Sequence, residues 1–236
     1  MGAPQDVDRA IGRRVWMNEC AGSVQGLVSW NAGENFPSLG IGHFIWYPAG
    51  QRGPFEESFP KFVAFAMAQG VQVPAFFRGA APWRSRAEFA ADRSGLSNSM
   101  RKWLAEHLDV QCSYLMARLN AALPVMLRSS KRAAVVRAWY EALIRDQQGR
   151  YCLIDYVNFK GDGTKPTERY NGYGWGLLQV LEEMRGTPGR VNAAAEFARA
   201  ADAVLRRRVL NAPSARGEGR WLQGWLNRCR TYAPVR

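Results

Sequence analysis

Histidine and cysteine are scarce in this sequence of 236 residues, which holds two histidines and four cysteines. The cysteines, at positions 20, 112, 152 and 229, are far apart, and no metal-ligand spacing is present. We therefore expect no metal and no other cofactor. The four thiols can form two disulfides in an oxidising compartment or stay buried as free thiols, and a structural role is favoured over a catalytic one.

Long apolar runs and nucleotide-binding motifs are also absent. No run approaches the roughly 20 apolar residues that a membrane span needs. Neither GxxxxGK[ST], nor a strand-linked GxGxxG, nor Gly-x-Ser-x-Gly occurs, so nucleotide binding and a nucleophile-elbow hydrolase have no support. The first residues lack the basic and apolar regions of a signal peptide, so we expect that the leader of an exported form has been removed.

Positive charge is the abundant feature. The chain has 32 Lys and Arg against 20 Asp and Glu, a net charge of +12 and a pI near 10.1. Residues 119–236 alone carry 20 basic and 10 acidic groups, whereas residues 1–118 carry 12 and 10. An anionic polymer is the natural partner of such a chain. The run Arg206–Arg208 also suits the C-terminal end of a helix dipole.

The pattern of apolar residues predicts a mostly helical chain of the α+β class. Helical spacing predicts helices over 8–20, from Pro60 to Gly70, from about 96 to a stop at Pro124, and over 133–143, 177–184, 191–210 and 219–230. Residues 21–58, rich in glycine and aromatic residues, predict a small β-hairpin or meander. We interpret residues 1–236 as a single domain, with residues 59–236 as its helical lobe.

Glu19 is the first candidate for catalysis. It follows Ile11 and Val15 at i, i+4 and i+8, so it shares the apolar face of the first predicted helix. Burial raises the pKa of a carboxyl group, which is the property that a general acid near neutral pH requires. A structural carboxylate that accepts backbone hydrogen bonds fits the same spacing.

The segment that follows Glu19 resembles part of the phage-type lysozymes. It reads Ser38-Leu39-Gly40-Ile41-Gly42-His43-Phe44. In that family a helix ends in a catalytic glutamate, and a small β-sheet carrying Thr-Ile-Gly-Ile-Gly-His-Leu follows. The resemblance covers roughly residues 9–46 and implies a lysozyme-like fold. It implies that Glu19 is the general acid and that Ser38 replaces the threonine. It also implies that His43 lies beside the substrate and has a structural rather than a catalytic role.

The second acidic group of the phage enzymes has no direct counterpart here. No aspartate lies between Glu19 and Ser38, and the available acid is Glu34. Glycoside hydrolysis usually needs two carboxylates, so Glu34 is our second catalytic candidate. A solvated turn residue is the competing interpretation of Glu34. In that case Ser38 and Asn31 are the candidates for holding the attacking water.

A second glycine-rich stretch predicts the lining of a sugar-binding groove. Tyr170, Tyr173 and Trp175 offer flat aromatic faces, and Gln179 offers an amide. The segment Gly176-Leu177-Leu178-Gln179 is similar to the Gly-Leu-Met-Gln element of lytic transglycosylases. A turn that leads into a helix, with Trp175 in the core, explains the same residues. Three cations near this stretch can contact anionic groups: Lys160, Lys165 and Arg169. On a basic protein, however, such residues are usually solvated.

These features together predict a peptidoglycan hydrolase. Its substrate is peptidoglycan or a related polysaccharide, cut between N-acetylmuramic acid and N-acetylglucosamine with Glu19 as the acid. A lytic transglycosylase and a chitin or chitosan glycosidase are the alternative enzymes. A basic nucleic-acid-binding or glycan-binding module is the non-enzymatic alternative, but nucleic acid is not expected because no reader motif is present. The substrate predicts a periplasmic or secreted monomer.

Overall fold

The computed structural model describes residues 4–20, 22–53 and 55–234, and the side chains of residues 4–8, 19 and 20 lie outside the described part. Within these ranges the chain forms ten α-helices and five short strands, as expected for a predominantly helical α+β protein. It divides into two compact units, unit 1 up to Leu115 and unit 2 from Met116. The interpretation of the chain as a single lysozyme-like domain stays a prediction.

Unit 1 contains the small sheet and the first helices. The strands are β1 (Val28–Ser29), β2 (Ser38–Leu39) and β3 (Phe44–Ile45), arranged as an antiparallel meander with β2 in the centre. The helices are α1 (Pro4–Cys20), α2 (Phe59–Ala68), α3 (Arg86–Ala91), α4 (Leu96–Glu106) and the start of α5 (Leu108–Ser129). Short 3-10 helices cover Val24–Leu27 and Ala75–Phe77. The predicted β-rich segment within residues 21–58 is confirmed.

Aromatic side chains form the core of unit 1. Phe44 from β3 stacks on Phe62 of α2 with ring centroids 5.1 Å apart, and Phe62 contacts Tyr114 of α5 at 5.7 Å. The buried residues of α2 follow the spacing i, i+3, i+4 and i+7, which places one apolar stripe against the sheet side: Phe59, Phe62, Val63 and Ala66. The sheet is therefore held from one side by the helix that follows it.

The segment Gly40–His43 forms the turn between β2 and β3. The His43 N–H donates to the Gly40 carbonyl at 3.2 Å, and Gly40 has a φ of 72°, which favours glycine. Buried Gln111 on α5 fixes this turn, because its Oε1 accepts from the Ile41 N–H at 3.0 Å. Its Nε2 donates to the carbonyl of Leu104 at 2.7 Å.

Unit 2 is helical with one β-hairpin. It holds the rest of α5, then α6 (Ala133–Leu143), α7 (Gln147–Lys160), α8 (Leu177–Glu183), α9 (Ala193–Asn211) and α10 (Gly219–Arg230). Strands β4 (Arg169–Tyr170) and β5 (Tyr173–Gly174) pair antiparallel between α7 and α8. A 3-10 helix covers Ser214–Arg216.

The centre of unit 2 is α7, which contacts α6, α8 and α9. Six consecutive residues of α7, from Tyr151 to Tyr156, are buried. Gly149 in its first turn lies against α6, where a Cβ would sit 2.0 Å from the Leu143 carbonyl oxygen. Because Asp155 on α7 is fully buried, its carboxylate needs partners; Arg228 donates two hydrogen bonds of 2.8 Å to it and the Tyr232 hydroxyl one of 2.6 Å.

The helices predicted near residues 8–20, 60–70, 133–143, 177–184, 191–210 and 219–230 are present. The predicted long helix from 96 is interrupted at His107, whose φ of −119° and ψ of 43° are not helical. Pro124 does not end it, since α5 continues to Ser129. The sequence interpretation also missed α3 and α7.

We expect Gln111→Ala to lower the free energy of unfolding by about 3 kcal/mol, because it removes the partners of the Ile41 N–H in the turn and of the Leu104 carbonyl. Urea melts followed by tryptophan fluorescence measure the loss. The matched control is Gln72→Ala, an exposed glutamine of unit 1, with an expected change below about 0.5 kcal/mol. Equal stability of the two variants would contradict the anchoring role of Gln111.

Candidate functional site

The predicted catalytic residues all belong to unit 1. Glu19 is in the last turn of α1, but its side chain lies outside the described residues, so its role stays a prediction. Glu34 occupies an exposed turn in which its N–H donates to the Asn31 carbonyl at 3.3 Å. The Asn31 Nδ2 donates to the Glu34 carboxylate at 3.1 Å. The structure therefore pairs two of the predicted residues, the acid and an amide that orients it.

Ser38 and His43 lie on the central part of the meander. Ser38 is buried in β2 at 4% exposure, and its hydroxyl has no hydrogen-bond partner within the described part of the chain. This hydroxyl can therefore form a hydrogen bond to a bound water or a ligand oxygen. His43 is half-buried in the turn, with a left-handed φ of 46°.

The aromatic residues predicted to line a groove divide into two groups in unit 2. Tyr170 and Trp175 face an internal ion pair: the Tyr170 hydroxyl donates to Glu218 at 2.9 Å, and Trp175 packs under the Arg208 guanidinium at 4.1 Å. Trp175 is 8% exposed. Tyr173, by contrast, is 51% exposed at the tip of the β4–β5 hairpin. Only Tyr173 of the three offers an open ring to a ligand.

Gln179 ties the glycine-rich segments together. Its Oε1 accepts from the Gly176 N–H at 2.9 Å, and its Nε2 donates to the Gly163 carbonyl at 3.1 Å. A Cβ on Gly174 would sit 2.7 Å from the Gln179 amide carbon. Gln179 is buried, and its hydrogen bonds hold the backbone on both sides of the hairpin in place.

A cavity of about 300 Å³ opens beside the hairpin. Its walls include two of the predicted residues, Tyr173 and Gln179, together with charged side chains that include Arg132, Arg169, Glu182, Glu183 and Arg207. Cavities of about 420 and 460 Å³ in unit 1 surround Asp92, and none of the predicted residues lines them.

The arginine run at the end of α9 has a role that the sequence did not indicate. Arg207 donates to Glu183 at 3.0 Å and Arg208 makes two hydrogen bonds to Glu218, at 2.7 and 2.8 Å. Hydrogen bonding from Arg208 is the main reason that the pKa of Glu218 is lowered. These partners lie 24 and 10 positions away, outside α9, so the helical pattern of α9 does not reveal them.

Lys160, a cation that the sequence analysis expected to be solvated, is mostly buried at the end of α7. Its Nζ lies 3.6 Å from the ring centroid of Trp225 and 4.0 Å from that of Phe159. Burial, with repulsion from Arg208 and Arg228, lowers the pKa of Lys160 to about 7. The amine therefore changes its charge near neutral pH.

The described cysteines are buried, and the described acidic and histidine side chains form no metal cluster. Cys112, Cys152 and Cys229 are buried, and burial raises the pKa of Cys229 to about 12. Among the residues that the structure describes, no group of three His, Cys, Asp or Glu side chains could hold a metal ion. Within the same ranges, no helix is long and apolar enough to cross a membrane.

No protein-family model matches the chain, and neither the curated proteins nor the solved structures contain a significant match to it.

The titration of Lys160 predicts a pH-dependent stability. The pKa of Lys160 is about 7 in the folded chain, whereas an unperturbed lysine has a pKa of 10.5. Between these two values the unfolded chain holds a proton on Lys160 that the folded chain has released, so the stability of the fold rises with pH. We expect the free energy of unfolding to increase by about 2 kcal/mol from about pH 6 to about pH 8.5. Urea melts at both pH values measure it.

The Lys160→Met variant should lose this increase, since an apolar side chain fills the same aromatic surroundings without a charge. Lys131→Met, at an exposed position of unit 2, is the matched control and should keep it. A pH slope that is unchanged in Lys160→Met would show that another group is responsible.

Proposed function

We propose that the chain is a glycoside hydrolase that cleaves peptidoglycan, with Glu19 as its general acid. The observation that carries the proposal is the order of elements in unit 1. Helix α1 ends at Cys20, one residue after Glu19, and a three-stranded antiparallel meander with the Gly40–His43 turn follows. This arrangement agrees with the resemblance to phage-type lysozymes in residues 9–46.

The chemistry requires a proton donor to the glycosidic oxygen and a second group that completes the substitution. Glu19 protonates the leaving oxygen between N-acetylmuramic acid and N-acetylglucosamine as the oxocarbenium-like state forms. Glu34, held by Asn31, is the proposed second carboxylate. The hydroxyl of Ser38, which bonds to none of the described residues, offers a hydrogen bond to the attacking water.

The charge of the chain supports this substrate. Residues 119–236 have a net charge of +10, and peptidoglycan carries acidic stem peptides together with other anionic polymers. A positive field raises the rate of encounter with such a surface. The substrate would place the enzyme in the periplasm or outside the cell, where it would act as a monomer.

The central test is Glu19→Gln, assayed on purified sacculi by the release of reducing ends and of anhydro-muropeptides. We expect a loss of at least about a hundredfold, because the amide cannot donate the proton to the leaving oxygen. Reducing ends would identify a hydrolase and anhydro products a lytic transglycosylase. Circular dichroism and thermal melting check that the fold is intact.

Glu106→Gln is the matched control for this test, because Glu106 is an exposed glutamate at the end of α4. It should keep full activity. If Glu19→Gln also retains full activity, the assignment of the general acid is wrong.

The second catalytic group has a separate test. We expect Glu34→Gln to lower kcat by about tenfold to a hundredfold, with little change in KM, and Asn31→Ala to lower it less because Asn31 only orients the carboxylate. Full activity of Glu34→Gln would exclude Glu34 as the second group. A loss of activity in Ser38→Ala would then assign the positioning of water to Ser38.

A further inference from the structure

The cavity beside the β4–β5 hairpin contains an arginine that pairs with no carboxylate among the described residues. Arg169, on β4, makes one long hydrogen bond from its Nη2 to the Gly163 carbonyl at 3.4 Å. No ion pair of Arg169 occurs in the part of the chain that the structure describes. A guanidinium that is half-buried and lacks a counter-ion favours an anionic ligand, and its planar fork matches a carboxylate.

The carboxylates in the cavity wall are already engaged. Glu183 is shared by three arginines, at 3.0 Å to Arg207, 3.3 Å to Arg185 and 3.9 Å to Arg199. Glu182 accepts a hydrogen bond of 2.5 Å from the Ser130 hydroxyl. Neither of them neutralises Arg169, so the wall keeps an excess of positive charge around this residue.

A second cation of the cavity is incompletely satisfied. The Nε of Arg207 is buried and has no hydrogen-bond partner among the described residues. The same guanidinium lies 5.4 Å from the ring centroid of Tyr173, so it faces the open aromatic side chain of the hairpin. A buried donor without an acceptor is costly, and a ligand oxygen in the cavity would relieve that cost.

The hairpin also provides a flat surface for a ring. Tyr173 is 51% exposed and lies between Gly172 and Gly174, which have no side chains to block an approaching ligand. An amphipathic aromatic ring next to fixed polar groups is a typical combination for binding a polar ring compound. The cavity of about 300 Å³ is at the lower limit for a small-molecule site, which suits one sugar residue.

We propose that this cavity binds a sugar residue that carries a carboxylate, with the sugar ring on Tyr173 and the carboxylate on Arg169. The inference rests on the proposed function for the source of the ligand, since peptidoglycan contains N-acetylmuramic acid, which carries a lactyl carboxyl group. The cavity would then distinguish this sugar from its neutral neighbour, N-acetylglucosamine.

Isothermal titration calorimetry of the full chain tests the proposal with the two free sugars. We expect N-acetylmuramic acid to bind at least about tenfold more tightly than N-acetylglucosamine, a preference that weakens as salt is added. Arg169→Gln should remove the preference by weakening only the acidic sugar. Tyr173→Ala should weaken both sugars, because both present the same ring.

Arg190→Gln is the matched control, since it removes one positive charge from an exposed position of unit 2. It should leave the preference unchanged. Arg169→Lys keeps the charge and loses the planar fork, so an intermediate affinity is expected even if Arg169→Gln proves unstable in thermal melts.

Three results would overturn the proposal: equal binding of the two sugars, equal effects of Arg169→Gln and Arg190→Gln, or binding of L-alanyl-D-glutamate that matches N-acetylmuramic acid and does not need Tyr173. The last result would assign the cavity to a peptide carboxylate. Glu19→Gln should retain the preference for the acidic sugar. If the wild-type chain prefers N-acetylmuramic acid but cleaves no sacculi, the proposed hydrolase activity is wrong and the proposed sugar site remains. If it cleaves sacculi but shows no preference, only the proposed sugar site is wrong.

Discussion

A fully buried carboxylate governs the architecture of unit 2. Asp155 lies on the most buried helix and receives hydrogen bonds from Arg228 and Tyr232, so α7 is bound to α10 and to the segment after it. Removing one partner of such a pair leaves an uncompensated charge in the interior. After α7 comes a loop in which the Gly163 carbonyl accepts a hydrogen bond from Gln179, and this loop leads into the β4–β5 hairpin. The position of the β4–β5 hairpin therefore depends on an ion pair that lies outside the hairpin.

The sequence predicts the helices whose apolar residues form one stripe, but it misses α7, in which no such stripe is visible. Helices α2, α6, α9 and α10 each have an exposed and a buried face, so their periodicity is visible. Helix α7 is buried on all sides from Tyr151 to Tyr156, so no stripe distinguishes it from other apolar segments. The stop at Pro124 failed for a different reason: proline removes one hydrogen bond, and α5 continues to Ser129 in spite of this cost.

The candidate site could be predicted by residue type more readily than by orientation. In the aromatic and glycine-rich stretch Tyr173 is exposed on a hairpin, whereas Trp175 is turned inward and Gln179 holds the backbone. Whether a side chain faces inward depends on partners far away in sequence, such as Glu218 for Tyr170. The contacts of Arg207 and Arg208 were missed in the same way. Their position at the end of a helix already had a local explanation, the helix dipole, so the sequence offered no reason to expect ion pairs with Glu183 and Glu218.

The close approach of Gly149 to α6 has an evolutionary consequence. A side chain at this position would collide with the Leu143 carbonyl oxygen, whereas a Cβ on Gly219 or Gly224 would meet no atom within 4 Å. If homologous chains keep this crossing of α6 and α7, glycine should be invariant at position 149 whatever ligand they bind. Variation is then free to accumulate at the open glycines. Position 149 thus becomes a marker of shared ancestry that is independent of function.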